Sequence, residues 1–307
     1  LNLFGNFTYF LENPVGGDQH EQVDRRWIYT GHGQRSFDLA EGVQLNLGGD
    51  FRFDDIADAD LHFATSRRRT AQVRNDAIDW LSVGGFAEIE LAITERLRST
   101  VGLRLDWYDY EVAALNLQNS GQDSEANVLP SVSVAYAVSD VLELYANWGE
   151  GFHSNDVRGT TIAIDPVSGD PVESVNLFVG QEGAEIGARF EGWNGLNATL
   201  TYFWLESDSE LLFVGDSGST EPSDGSKRTG VELALFWQTS TNVSFDLNAS
   251  FVDSAFTGVP NGFDHIPNAH GRVVGGGLTY TQPGGWTASA RVRHFGDAPL
   301  IEDNSVT

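Results

Sequence analysis

The chain has 307 residues, with 18 Lys and Arg against 44 Asp and Glu, a formal net charge of −26. It contains 8 Trp, 8 Tyr, 19 Phe and 34 Gly but neither Cys nor Met, which excludes disulfides, thiolate metal sites and a cysteine nucleophile. The acidity repels phosphate and excludes nucleic acid as a partner, while 40% hydrophobic residues suffice for an ordered structure of one large domain or two ordinary ones. Because residue 1 is Leu and no Met follows, the native start is expected upstream. No run approaches the roughly 18 consecutive apolar residues of a membrane helix.

Apolar and polar residues alternate with period two in segment after segment, the signature of strands with one greasy and one wet face. In chain order the pattern covers residues 83–93. It continues at Val101, Leu103, Leu105 and Trp107 against Gly102, Arg104 and Asp106, and then over residues 132–138. Leu142, Leu144, Ala146 and Trp148 oppose Glu143, Tyr145 and Asn147, and Leu196, Ala198, Leu200, Tyr202 and Trp204 oppose Asn197, Thr199 and Thr201. Val231, Leu233, Leu235 and Trp237 follow, then Val243, Phe245, Leu247, Ala249 and Phe251 against Ser244, Asp246, Asn248 and Ser250.

The connections alternate in length. Short ones are expected near residues 35–38, 94–97, 139–140, 192–195, 238–242 and 282–285, and long polar ones near 12–18, 54–70, 116–127, 153–176, 208–225 and 256–268. The pattern gives about 13 strands. Short turns at one end and long loops at the other describe a bacterial outer-membrane barrel, with turns in the periplasm and loops outside. Trp193, Trp237, Trp286, Tyr136 and Tyr280 lie at or near short turns, as interfacial aromatics do. Trp107, Trp148 and Trp204 come further up their strands by roughly 17 to 24 Å, close to the apolar band of about 25 Å. A soluble sandwich would also bury aromatics, but rarely puts all its long loops at one end.

Residues 129–158 read LPSVSVAYAVSDVLELYANWGEGFHSNDVR, and here the chain resembles the barrel domain of TonB-dependent outer-membrane receptors. GLRLDWYDY (102–110), AEIGARF (184–190), RTGVELALFW (228–237) and HFGDAPL (294–300) fit the same family, and the resemblance covers essentially the whole chain. It implies a barrel of about 22 strands enclosing a plug. It also implies energised uptake: a scarce nutrient, whether an iron-siderophore, a cobalamin-like complex or a glycan, binds the outer loops and plug, and the TonB complex pulls on the plug from the periplasm. The expected partners are outer-membrane lipid and lipopolysaccharide, the TonB complex through the plug, and a small-molecule or metal-chelate substrate. The expected location is the outer membrane of a Gram-negative bacterium.

The sequence departs from that pattern in having no plug, no TonB-contacting box and no C-terminal aromatic strand. Residues 1–307 are therefore expected to be a single all-β domain, an antiparallel transmembrane barrel wall that is incomplete and either open or distorted. An odd strand count points the same way, because the first and last strands would run parallel whereas such barrels close antiparallel. A passive channel is the alternative function.

The candidate site residues are Glu150, His153, Asn155, Asp156 and Arg158, where a strand enters the longest loop. They suit ligand contact near the outer mouth, but equally a loop exit in which Gly149 and Gly151 permit the bend and Asn155 and Asp156 form a turn. Arg104, Asp106, Glu143, Arg291 and Arg293, with Glu88, Glu90 and Glu232, fall on polar strand faces and should face the lumen, since each would cost a few kcal/mol in lipid. Asp54, Asp55, Asp58 and Asp60, and Glu206, Asp208, Glu210, Asp216, Glu221 and Asp224, make two loops acidic. No cofactor is expected. Ca²⁺ at these outer loops is the metal their oxygens would suit, with solvated surface charge the plainer reading. The seven His show no zinc spacing. GDSGS at 215–219 resembles the nucleophile loop of chymotrypsin-like proteases, but Ser217 lacks a convincing His partner, and no enzyme activity is expected.

Overall fold

The computed structural model describes residues 2–11, 19–193, 195–210, 212–214, 219–221 and 224–305. The strands are β1 (Asn2–Leu11), β2 (Gln19–Ala40), β3 (Val43–Thr65), β4 (Arg68–Ala92), β5 (Leu97–Ala113), β6 (Gly121–Ser139), β7 (Leu142–Ser154), β8 (Phe178–Gly192) and β9 (Leu196–Ser207). After a small hairpin of β10 (Leu212–Val214) and β11 (Ser219–Glu221) come β12 (Ser226–Ser240), β13 (Val243–Phe256), β14 (Arg272–Thr281) and β15 (Thr287–Phe295). The helical elements are α1 (Val157–Thr161) and a 3-10 turn at Leu117–Asn119. All strands but β10 and β11 form one 13-stranded sheet in which each pairs antiparallel with its sequence neighbour. Among the described residues no pairing joins β1 to β15, so the sheet is an open wall.

The two faces invert the rule for soluble proteins. Along β5 the apolar side chains stand exposed, Val101 at 49%, Leu103 at 53% and Leu105 at 52%, while Asp106 on the other face is 4% exposed. The same holds for Ile186, Leu200, Phe251 and Leu278, all half-exposed or more. Curvature explains the inversion. On the polar face, side chains two strands apart meet: Arg104 of β5 reaches Asp50 of β3, Arg98 of β5 reaches Glu143 of β7, and Arg291 of β15 reaches Asp246 of β13. A flat sheet would hold such strands roughly 9.5 Å apart without crowding, so the polar face is the concave one. The convex face presents the apolar side chains outward, as a wall surrounded by lipid requires. No helix among the described residues is long and apolar enough to cross a membrane, which leaves a strand-built crossing open.

Small residues make the two-strand bridges possible. Gly84 lies on β4 between Asp50 and Asp106, and a Cβ there would come within 2.1 Å of the Arg104 guanidinium. Gly277 occupies the same place beneath the Arg291–Asp246 pair, where a Cβ would fall 2.7 Å from Asp246 Oδ1.

Among the described residues three connections differ from the sequence expectation, and the one expected at 12–18 lies outside them. The first short turn is at Glu41–Gly42 rather than 35–38, because Phe37 continues the ladder opposite Leu45 and the turn needs the left-handed φ of +73° that Gly42 supplies. The segment 54–70 is no loop: β3 and β4 run to Thr65 and from Arg68, turning at Ser66–Arg67. At 23 and 25 residues these strands rise roughly 55–60 Å, about twice the apolar band. Their far halves extend past the length of such a band, and there ladder hydrogen bonds and ion pairs accommodate carboxylates in a strand. Finally, 116–127 shrinks to the 3-10 turn because β6 starts at Gly121. The long connection after β7 is present as expected.

Candidate functional site

The best-built region of the concave face is the end that carries the long connections, where the one between β7 and β8 folds back over β3, β4 and β5. The β6–β7 ladder ends at the pair Ser131–Gly149, while β7 and β8 stay paired up to Ser154–Phe178. Freed from β6, the upper β7–β8 hairpin bends inward and lays Phe152 and Phe178 against Tyr108 of β5. Ring centroids are 5.9 Å apart for Tyr108–Phe152, 4.9 Å for Tyr108–Phe178 and 4.6 Å for Phe152–Phe178, in edge-on contacts, and Trp80 of β4 lies 5.9 Å from Tyr108.

Above this aromatic shelf the loop makes its own core. Val157 and Leu177 are fully buried against Ile56, Ile78, Tyr110 and Val112. Ile56, Ile78 and Val112 form one cross-strand row on β3, β4 and β5. Polar contacts fix the loop's path. The Asn155 backbone N–H donates to Leu177 O at 2.8 Å, closing the neck. Asp156 caps α1 by accepting from the Arg158 N–H at 2.9 Å, as an N-cap carboxylate does, and also takes the Arg158 guanidinium. Asn119 accepts from the N–H groups of Ala163 and Ile164 at 3.0 and 2.9 Å, and Thr160 Oγ1 donates to the Tyr110 hydroxyl at 2.8 Å. Burial pushes the Asp156 carboxyl up, but the adjoining Arg158 charge and hydrogen bonds outweigh it and hold the group at about 2; Arg158 is correspondingly raised.

Charge bridges lie beside the shelf and below it. Arg52 donates to both oxygens of the fully buried Asp54 at 2.6 and 2.7 Å, and Arg26 to one of them at 3.1 Å. Arg104 makes contacts of 2.9 and 3.2 Å to Asp50 and of 2.7 and 2.7 Å to Asp106. Nearer the short turns Glu143 sits between Arg98 (2.8 Å) and Arg189 (3.1 Å), and Arg189 lies over the Tyr145 ring at 4.3 Å.

Arg104, Asp106, Glu143, Arg291 and Arg293 all fall on the concave parity; Arg293 lies opposite Gly275. The five residues of the loop entrance are not gathered into one pocket. Glu150 is exposed opposite Glu182, His153 Nδ1 is 3.5 Å from Gln181 Nε2, Asn155 is buried in the neck, and Asp156 and Arg158 bind each other. Three of the four carboxylates of the first acidic segment are paired: besides Asp54, Asp58 binds Arg25 and Asp60 accepts from Asn75. Of the second, Glu206 pairs with Lys227 and Glu210 with Arg228, while Asp216 and Ser217 lie outside the described residues. Among the described residues no three His, Asp or Glu are grouped to hold a metal ion. Sequence reasoning missed Tyr108, Phe152, Phe178 and Trp80. For Tyr108 a signal existed: in GLRLDWYDY it shares the parity of Arg104 and Asp106, an aromatic on the wet face.

Among solved structures the fold is similar to the ferric citrate transporter FecA in its unliganded form, with a TM-score of 0.74, 16% identity, and coverage of 99% of this chain and 46% of that one. The ferric yersiniabactin uptake receptor FyuA from Yersinia pestis gives 0.67, 16%, 94% and 47%, and BauA, the ferric preacinetobactin receptor from Acinetobacter baumannii, gives 0.69, 13%, 93% and 46%. This chain thus spans just under half the length of each. The family model described as TonB dependent receptor-like, beta-barrel matches residues 2–306. With its inverted faces, open antiparallel wall and inward-folded outer loop, the chain belongs to the TonB-dependent receptor β-barrel family.

Proposed function

We propose that this chain is part of the wall of an outer-membrane receptor that imports a scarce nutrient with energy delivered by the TonB complex. The concave face lines the lumen, and the convex face meets outer-membrane lipid and lipopolysaccharide. Residues 1–307 act as a single barrel domain working with a plug and further strands in the whole protein. The observation that carries this reading is the loop of residues 155–177 folded inward onto Tyr108, Phe152 and Phe178. It narrows the outer mouth and offers ring faces to a cargo entering from outside, as the apolar and aromatic lining of a ligand site does. The cargo belongs to the iron-siderophore, cobalamin-like or glycan class, and the family is one of transporters rather than catalysts.

The full-length protein should bind one member of a panel of ferric chelates, cobalamins and oligosaccharides saturably, and cells should accumulate that ligand only with an intact TonB complex. Non-saturable uptake that survives loss of TonB would overturn the reading in favour of a passive channel.

A further inference from the structure

The β3–β4 hairpin is the longest in the chain, and its tip carries the consecutive cations Arg67, Arg68 and Arg69. In a protein of net charge −26 most guanidinium groups are matched: Arg25, Arg26, Arg52, Arg74, Arg98, Arg104, Arg158, Arg189, Arg228 and Arg291 each have a carboxylate partner. Arg67 and Arg68 have none among the described residues, and both are exposed. The tip is nonetheless held firmly. The Arg67 N–H donates to the side chain of buried Gln19 at 2.8 Å, and Arg69 donates to buried Glu21.

The turn itself works against its backbone. Ser66 and Arg67 sit at φ +49° and +60°, the left-handed pair that two-residue hairpins normally give to Asn-Gly. Strain at a fixed, exposed and charged tip points to a contact made by the side chain rather than to a need of the fold. The tip stands roughly 35–40 Å above the outer end of the apolar band, since it lies 16 residues beyond the level of Val83 and Trp107. That is beyond reach of the bilayer surface.

We propose that Arg67 and Arg68 form an extracellular docking point for an anionic polysaccharide, its carboxylate- or phosphate-bearing sugars pairing with the two guanidiniums. Guanidinium forks match such groups bidentately, and at this tip two adjacent ones stand exposed with no carboxylate partner among the described residues. The site is independent of the import reading.

The test uses full-length protein in phospholipid nanodiscs free of lipopolysaccharide, with polygalacturonate as probe and neutral dextran as control. Arg67→Gln with Arg68→Gln should weaken polygalacturonate binding about tenfold at low salt, the difference vanishing near 1 M salt as screening shortens to about 3 Å. Ser66→Asn with Arg67→Gly keeps the hairpin and relaxes its backbone; it should raise stability yet lose binding about threefold. Arg96→Gln, at an exposed short turn on the opposite rim, removes the same charge and should leave binding unchanged. The proposal is overturned if the double Gln variant binds like the parent, if Arg96→Gln weakens binding as much, or if dextran binds equally well.

Discussion

Gly84→Ala probes the principle that small residues let charges bridge alternate strands. The new Cβ would fall 2.1 Å from Arg104 Nη2 and 2.6 Å from Asp106 Oδ1, so the guanidinium must leave its position between Asp50 and Asp106. The pair is intermediate in exposure, with side chains 34% exposed for Arg104, 43% for Asp50 and 6% for Asp106. Its disruption should therefore cost about 1–2 kcal/mol, between the 0–1 of an exposed pair and the 3–5 of a fully buried one. Against this, Ala in place of Gly in a strand stabilises by about 0.5–1 kcal/mol. Gly84→Ala should then destabilise by about 1 kcal/mol in the parent but become neutral or stabilising once Arg104→Ala has removed the guanidinium. The assay is a double-mutant cycle in urea unfolding of the full-length protein in lipid vesicles, followed by Trp fluorescence. An equal effect of Gly84→Ala in both backgrounds would refute the reasoning, because the cost would then lie in backbone or packing rather than in the bridge.

The two faces should respond oppositely to charge. Leu105→Arg on the convex face should cost about 2–4 kcal/mol, while Thr100→Arg on the concave face should cost about 1 kcal/mol or less by the same assay; equal costs would mean the faces are misassigned. Phe178→Ala should remove about 2 kcal/mol of ring packing from the loop of residues 155–177 and speed trypsin cleavage at Arg158 by roughly 30-fold, with the strands still protected. Unchanged cleavage would show that the shelf does not hold the loop down. The Asp156 carboxyl, held at about 2 against an ordinary value of 3.8, binds its proton less readily in the folded loop than in the unfolded chain. Its contribution is fully present above the ordinary value and is lost as pH falls through the folded one, so the protection of α1 amides relative to their intrinsic exchange rates should hold at pH 4 and drop only toward pH 2. Asp156→Ala should abolish that pH step; if the step persisted, another group would be responsible.

Strands and faces were legible in the sequence because pleating is local. Side chains alternate every residue whatever the neighbours do, so Val101, Leu103 and Leu105 declare one face, and Arg104 and Asp106 the other, before any partner strand is known. Turns built from Gly, Asn, Asp and Ser were read correctly at 139–140, 192–195 and 282–285, as was the charged one at 94–97. What failed was local chemistry that long-range pairing overrides: the carboxylates of 54–60 look like loop residues until Arg26 and Arg52 are placed beside Asp54.

Only the tertiary structure decided where the first turn falls, how far β3 and β4 project, and which concave charges meet across an intervening Gly84 or Gly277. It alone set the aromatic shelf, since Tyr108 and Phe178 are 70 residues apart in sequence and come together only because the β7–β8 hairpin leaves β6 at Gly149 and bends inward. These features depend on register and curvature, which are properties of paired strands rather than of any one segment.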